Sequence, residues 1–209
     1  MSRATRIATL LVLIFAVASA KGMEPQAGRH YQLVGEPPSE PMERVRVSEF
    51  FSYACPFCGD FYPIIDEWAA EYGDLIDNKP VAVVFRSEWE PLARAYWVAV
   101  ELDAVDDIHG PLFRALHQER RPVTDKESLV AFFAERGLDE DEVRRTWDSF
   151  SVQTAMNRAD RQVTAVGVQV TPSVVVADAY LVTPRMVGSL EGMVEVIDAL
   201  VRRHLAEAR

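Results

Sequence analysis

The chain has 209 residues, 49% of them hydrophobic, with 22 basic residues against 32 acidic ones and only two cysteines. A formal charge of −10 argues against nucleic-acid binding, which rests on lysine and arginine neutralising phosphates, and reads instead as a solvated surface. The length suits one large domain, or one domain with an insertion, and no repeat or low-complexity tract interrupts it.

Residues 1–20 read as a cleavable secretory signal. Arg3 and Arg6 form a positive start, residues 7–17 an apolar run, and Ala18-Ser19-Ala20 an A-x-A cleavage site. The alternative is a membrane anchor, but the run is shorter than the ~20 residues that span a bilayer. No cysteine follows it to carry a lipid, and no second apolar stretch approaches that length. Cleavage after Ala20 removes two arginines and no acid, which takes the charge from −10 to −12. The expected product is a soluble exported protein of a bacterial cell envelope, that is, of the periplasm.

Residues 21–43 are polar and contain Pro37, Pro38 and Pro41, with a short possible strand at 31–34. Residues 44–52 (R-V-R-V-S-E-F-F-S) alternate and then become apolar, as a strand entering a buried sheet does. Both cysteines follow at once, in Cys55-Pro56-Phe57-Cys58. Phe61, Ile64, Ile65, Trp68 and Ala69 then recur at helical spacing over residues 60–72, with Pro63 predicting a kink and Gly73 an end. The valine-rich run 81–85 predicts a second central strand, giving a right-handed β-α-β unit with the cysteines at its first turn.

Residues 88–166 change character and read as helices joined by short turns. Thr124-Asp125-Lys126-Glu127 predicts a capping box built on Thr124 and Glu127, and Asp139 a similar cap. After Gly167, Ser173 to Ala177 and Tyr180-Leu181-Val182 predict a β-hairpin around Asp178. Met193, Ile197, Leu200, Val201 and Leu205 predict a closing amphipathic helix. The order β-α-β, helices, β-β-α is that of a thioredoxin fold interrupted by a helical domain. The expected α/β organisation is a thioredoxin-like domain at 21–87 and 167–209 with an inserted helical domain at 88–166.

The cysteine pair is the candidate chemistry. A thiol attacks a disulfide only as thiolate, and an ordinary cysteine ionises near ~8.5. Cys55 precedes a predicted helix, whose unpaired N–H groups and dipole favour an anion, and Pro56 suits a first turn that needs no N–H. Cys55 is therefore expected to be the exposed nucleophile and Cys58, one turn on, the more buried resolving thiol. Half of a zinc site is an alternative, but His30, His109, His117 and His204 are scattered and form no H-x₃₋₅-H partner, so no metal role is expected. A merely structural disulfide is another, although so small a loop constrains the unfolded chain little.

The segment Glu49-Phe50-Phe51-Ser52-Tyr53-Ala54-Cys55-Pro56-Phe57-Cys58 resembles the active-site segment of DsbA-type thiol:disulfide oxidoreductases. The resemblance continues through Leu92 to Tyr96, Phe132-Phe133-Ala134 and Trp147 to Phe150, and on to residues 167–176, so it covers most of the mature chain. It implies an enzyme that introduces disulfides into cysteine-containing exported proteins, with no diffusible cofactor, reoxidised by a DsbB-like quinone-linked membrane protein. It implies that Pro172 follows a cis bond beside the cysteines and that Thr171 offers backbone groups to an extended substrate. It implies that Glu49 is a buried acid assisting proton transfer, although the lysine that often accompanies it has only Lys79-Pro80-Val81 at the corresponding place. Phe57 departs from the family's usual histidine and offers no ring N–H, so Cys55 is expected to be less acidic than in such a relative and the pair less oxidising. A reductase or isomerase running the same chemistry backwards stays open, as does a thioredoxin-fold binding protein or holdase. No dimerisation segment is evident, and a monomer is expected.

Overall fold

The computed structural model describes residues 23–205, so the secretory-signal reading of residues 1–20 lies outside the described residues. Among them, five strands form one mixed sheet in the order β1-β5-β4-β2-β3. The strands are β1 (Gln32–Leu33), β2 (Val45–Phe51), β3 (Ile76–Ala82), β4 (Ser173–Val176) and β5 (Tyr180–Val182). Only the β2–β3 pair is parallel; β2–β4, β4–β5 and β1–β5 are antiparallel. Helix α1 (Pro56–Tyr72) joins the parallel pair. Five helices separate β3 from β4: α2 (Glu90–Glu101), α3 (Val105–His117), α4 (Lys126–Ala134), α5 (Glu140–Trp147) and α6 (Phe150–Val166). The short α7 (Pro184–Val187) and the closing α8 (Leu190–His204) follow β5. This is the α/β arrangement expected from the order of sequence patterns.

β2 is buried along nearly its whole length because it is central, with β3 on one side and β4 on the other. Its Val45 and Val47 pack with Phe61 and Ile65 of α1 and Met193 and Ile197 of α8 on one face. Phe50 joins Val81, Val175 and Ala159 on the other face, which α6 covers. A third core lies among α2 to α5 and extends to Phe51, Tyr53 and both cysteines. The cysteine pair therefore sits where the helical block's core meets the sheet.

Two predicted boundaries are corrected. The expected second central strand is instead an edge strand, Ile76–Ala82, not the apolar run 81–85, and Val84 and Phe85 are exposed. β3 is an edge strand, so Asp77 and Lys79 turn outward into an ion pair of 3.1 Å and hide the strand from a reading based on continuous apolarity. Pro80 fits for the same reason, since an edge strand tolerates a missing N–H. The capping box of α4 is built on Asp125 and Ser128 rather than Thr124 and Glu127: Asp125 accepts from the Ser128 N–H at 3.0 Å and its own N–H donates to Ser128 Oγ at 3.2 Å. The Asp139 cap forms as read, accepting from Glu142 N–H at 2.8 Å. α1 runs through Pro63 without a break and ends at Gly73, whose φ of 51° suits glycine.

Candidate active site

β2 ends at Phe51, and a tight turn leads directly into α1. The Cys55 N–H donates to the Ser52 carbonyl at 3.0 Å, and the Ala54 N–H to Ser52 Oγ at 3.1 Å. Cys55 stands at the N-cap of α1 with extended backbone, and Pro56 fills the first turn. Cys58 N–H and Gly59 N–H both donate back to the Cys55 carbonyl, at 3.1 and 3.3 Å. Cys55 is not the exposed thiol expected but buried at 8% exposure, because the turn after β2 and the Thr171–Pro172 segment close over it; Cys58, one turn into the helix, is the more buried, at 0%. Both are free thiols.

The two sulfurs are electrostatically unequal. Cys55 is lowered from the ordinary thiol value to about 6, chiefly by a hydrogen bond from the Cys58 thiol. Burial works against this, while the Thr171 side chain and the backbone N–H groups of Cys58 and Phe57 add to it. Cys58 moves the other way, far above the thiol range, because burial, its bond to Cys55 and the neighbouring Cys55 charge all oppose its ionisation. One helix turn thus separates a stabilised thiolate from a thiol that holds its proton.

Thr171 and Pro172 reach the pair from the start of β4. The Thr171–Pro172 peptide bond is cis, and the Cys55 thiol lies 3.4 Å from the Thr171 carbonyl, to which it can donate. Pro172 is buried and Thr171 half-buried. Glu49, on β2, is 2% exposed, and burial followed by repulsion from Asp66 raises its carboxyl to about 8. Its charge would add, as the smallest of the contributions, to the forces that raise Cys58. Lys79 does not relieve it: it stands opposite Ser48 in the β2–β3 register, where Glu49 meets Pro80, and its ammonium pairs with Asp77. Phe57 points outward at 64% exposure and borders an open cavity of about 510 Å³ shared with Cys55 and Thr171.

Sequence reasoning missed the support beneath the turn. Tyr53, 1% exposed, donates to or accepts from His109 Nδ1 at 2.7 Å, and its carbonyl accepts from His117 Nε2 at 2.8 Å. The carbonyl can only accept, so His117 carries its proton on Nε2. Burial depresses His109 to about 3, so it is neutral at physiological pH. Phe51 and Phe113 pack edge-on or tilted around the same tyrosine. Gly59 makes room for the His117 ring, since a Cβ there would meet it at 2.9 Å. The available signal was the eight-residue spacing of His109 and His117, just over two helical turns and hence one face of α3. His30 and His204 lie elsewhere, His204 bonded to the Tyr180 hydroxyl at 2.8 Å. Among the described residues no three His, Cys, Asp or Glu side chains are grouped to hold a metal ion.

The chain is similar to known proteins over nearly all its length. The DSBA-like thioredoxin domain family matches residues 64–191, which begin after the cysteine pair. A thiol:disulfide interchange protein DsbA of Bordetella parapertussis is 30% identical over 199 residues, covering 94% of this chain and 95% of the relative. A protein of the same name from Pseudomonas aeruginosa is 26% identical, covering 96% and 98%. Among solved structures, the oxidoreductase DsbA of Xylella fastidiosa superposes with a TM-score of 0.77 at 28% identity, covering 86% of this chain and 97% of that one. Pseudomonas aeruginosa DsbA gives 0.77 at 25% identity, covering 86% and 94%.

Proposed function

The chain belongs to the DSBA-like thioredoxin domain family, and from that premise we propose that it introduces disulfides into exported proteins through Cys55 and Cys58. It is a thiol:disulfide oxidoreductase with a thioredoxin fold into which helices are inserted. The observation that carries the site assignment is the opposed ionisation of the two cysteines, Cys55 lowered to about 6 and Cys58 raised and buried.

A substrate thiolate attacks Cys55 Sγ in the oxidised pair, forming a mixed disulfide, and the electron pair of the broken bond leaves on Cys58. Cys58 then takes a proton, as its raised pKa demands. Glu49, protonated below about pH 8, is the buried group suited to deliver it. A second substrate thiolate attacks the substrate sulfur and expels Cys55. A low-pKa thiol leaves faster, so the hydrogen bonds that stabilise the Cys55 thiolate accelerate this step. The substrate loses two electrons and two protons; the enzyme disulfide gains the electrons. On this reading Thr171 bonds an extended substrate backbone beside Cys55, a role its carbonyl's position 3.4 Å from Cys55 Sγ supports.

The same reading takes the protein to the periplasm through the N-terminal secretory signal, acting as a monomer and reoxidised by a DsbB-like quinone-linked membrane protein. It sets the thioredoxin-like domain at 21–87 and 167–209 and the insertion at 88–166, the core among α2 to α5 running on to Phe51, Tyr53 and both cysteines where the two meet. The test is a single turnover: oxidised protein mixed with one equivalent of a reduced dithiol peptide is expected to yield one peptide disulfide and free thiols at Cys55 and Cys58. Failure to transfer the disulfide would sink the assignment.

Phe57 favours a second reading of direction. Its exposed ring contributes no charge or N–H to Cys55, which leaves room for a less oxidising pair that works as a reductase or isomerase. Phe57→His is expected to lower the Cys55 pKa and raise the potential by about 30 mV for each ~1.4 kcal/mol of thiolate stabilisation. Equilibration with glutathione measures it, and an unchanged potential would remove Phe57 as the tuning residue.

A further inference from the structure

The cavity beside Cys55 is charged opposite to the protein that holds it. Its walls are apolar at Phe57, Phe85 and Trp89, and among the described residues its charged side chains, apart from the Cys55 thiolate of the reduced state, are Arg86 and Arg185. Among the described residues no carboxylate lines it, although acids outnumber bases by 32 to 22 in the chain. Both arginines are exposed, and among the described residues neither forms an ion pair, whereas Arg94, Arg121, Arg144 and Arg202 each do. The acids nearest Arg86 in sequence are engaged elsewhere. Glu90 holds Arg94 at 2.8 Å, and Glu88 accepts from the Ser87 hydroxyl at 3.4 Å. Arg86 instead lies over the Trp89 ring, 6.0 Å from its centroid, which keeps its guanidinium at the cavity wall.

We infer that this cavity selects substrate segments that carry carboxylates beside the cysteine to be oxidised. The inference rests on the oxidoreductase reading above and adds the substrate class. A peptide bound along Thr171 with its cysteine at Cys55 places its flanking side chains within the same cavity, since successive residues advance only about 3.3 Å. An aspartate or glutamate there finds two guanidiniums without internal partners, and planar bidentate pairing is what arginine offers a carboxylate. A lysine there meets two like charges. The arginines thus act on encounter and alignment and leave the thiol exchange itself to the cysteines.

Three matched reduced dithiol peptides test this, with Asp/Glu, Asn/Gln or Lys flanking the attacking cysteine. Oxidised protein reacts with each in a single turnover: one peptide disulfide forms as the Cys55–Cys58 disulfide is reduced to two thiols. Each rate is divided by the same peptide's rate with hydroxyethyl disulfide, which removes differences in intrinsic thiol reactivity. The acidic peptide is expected to exceed the neutral one about fivefold at low salt, the ratio falling towards one at about 0.5 M salt. In the double variant Arg86→Gln/Arg185→Gln the ratio is expected to be about one at low salt, and in Arg86→Glu/Arg185→Glu the Lys peptide is expected to lead. Equal acidic and neutral rates with the wild type, or a preference that survives the double Gln variant, would overturn the inference while leaving the oxidoreductase reading intact. If no peptide is oxidised, both fall.

Discussion

In the reduced native protein at pH 7, Cys55 is expected to be alkylated by iodoacetamide at least about a hundredfold faster than Cys58. A thiol at about 6 is mostly thiolate at that pH, whereas one held far above the ordinary value is ionised to well under about one per cent. Access widens the gap, because Cys58 is fully buried and Cys55 borders the open cavity. The rate at Cys55 is expected to follow an ionisation with midpoint near 6. Because the Cys58 thiol is the largest contributor to that acidity, Cys58→Ala is expected to move the midpoint upward, towards the ordinary thiol value. Cys55→Ser is expected to abolish substrate oxidation altogether, since the atom that forms the mixed disulfide is gone. Equal alkylation rates, the reverse order, or an oxidase activity that survives Cys55→Ser would each overturn the assigned roles; mass-mapped labelling against pH supplies the first two readings.

Glu49→Gln is expected to stabilise the protein in a pH-dependent way. The Glu49 carboxyl titrates near 4.5 when solvated and near 8 in the fold, so between those values the native state holds a proton that the unfolded chain has released. Stability then falls as pH rises from about 4.5 and levels off above about 8. At ~1.4 kcal/mol per unit the loss is on the order of 3 kcal/mol at pH 7, less ~1 kcal/mol for burying the replacement amide. The variant should therefore gain about 2 kcal/mol at pH 7 and lose about 1 kcal/mol near pH 4, read by urea unfolding at both. A variant less stable than wild type at pH 8 would mean that the ionised carboxylate has a stabilising partner in the fold. The carboxylate's retention at that cost fits a role in moving the Cys58 proton, and the same variant is expected to slow reduction of the pair.

Much of this was legible along the chain, for identifiable reasons. The order of elements follows from hydrophobic period, which is local: β2 alternates and then closes, α1 repeats every three or four residues, and the hairpin announces itself in S-V-V-V and Y-L-V. The roles proposed for Cys55 and Cys58 rest on one helix turn of separation. Local signals failed where a neighbour decided the outcome. Whether Asp77 and Lys79 belong to a strand depends on β3 having one partner rather than two. Whether Thr124 or Asp125 caps α4 depends on which residue the preceding loop leaves extended.

The sequence by itself marked out the candidate chemistry: two cysteines, one helix start, a proline before a valine strand, and an order of elements that admits few folds. Tertiary structure alone decided the environment of that chemistry. Residues 53, 109 and 117 meet only because α3 packs against the turn, and Arg86 and Arg185 share a cavity with Cys55 only because the chain returns through β5 and α7. A motif is carried by spacing along the backbone. Acidity, proton supply and substrate choice are carried by burial and charge at distances of a few ångströms, between residues as far apart as 116 positions in the case of Cys55 and Thr171.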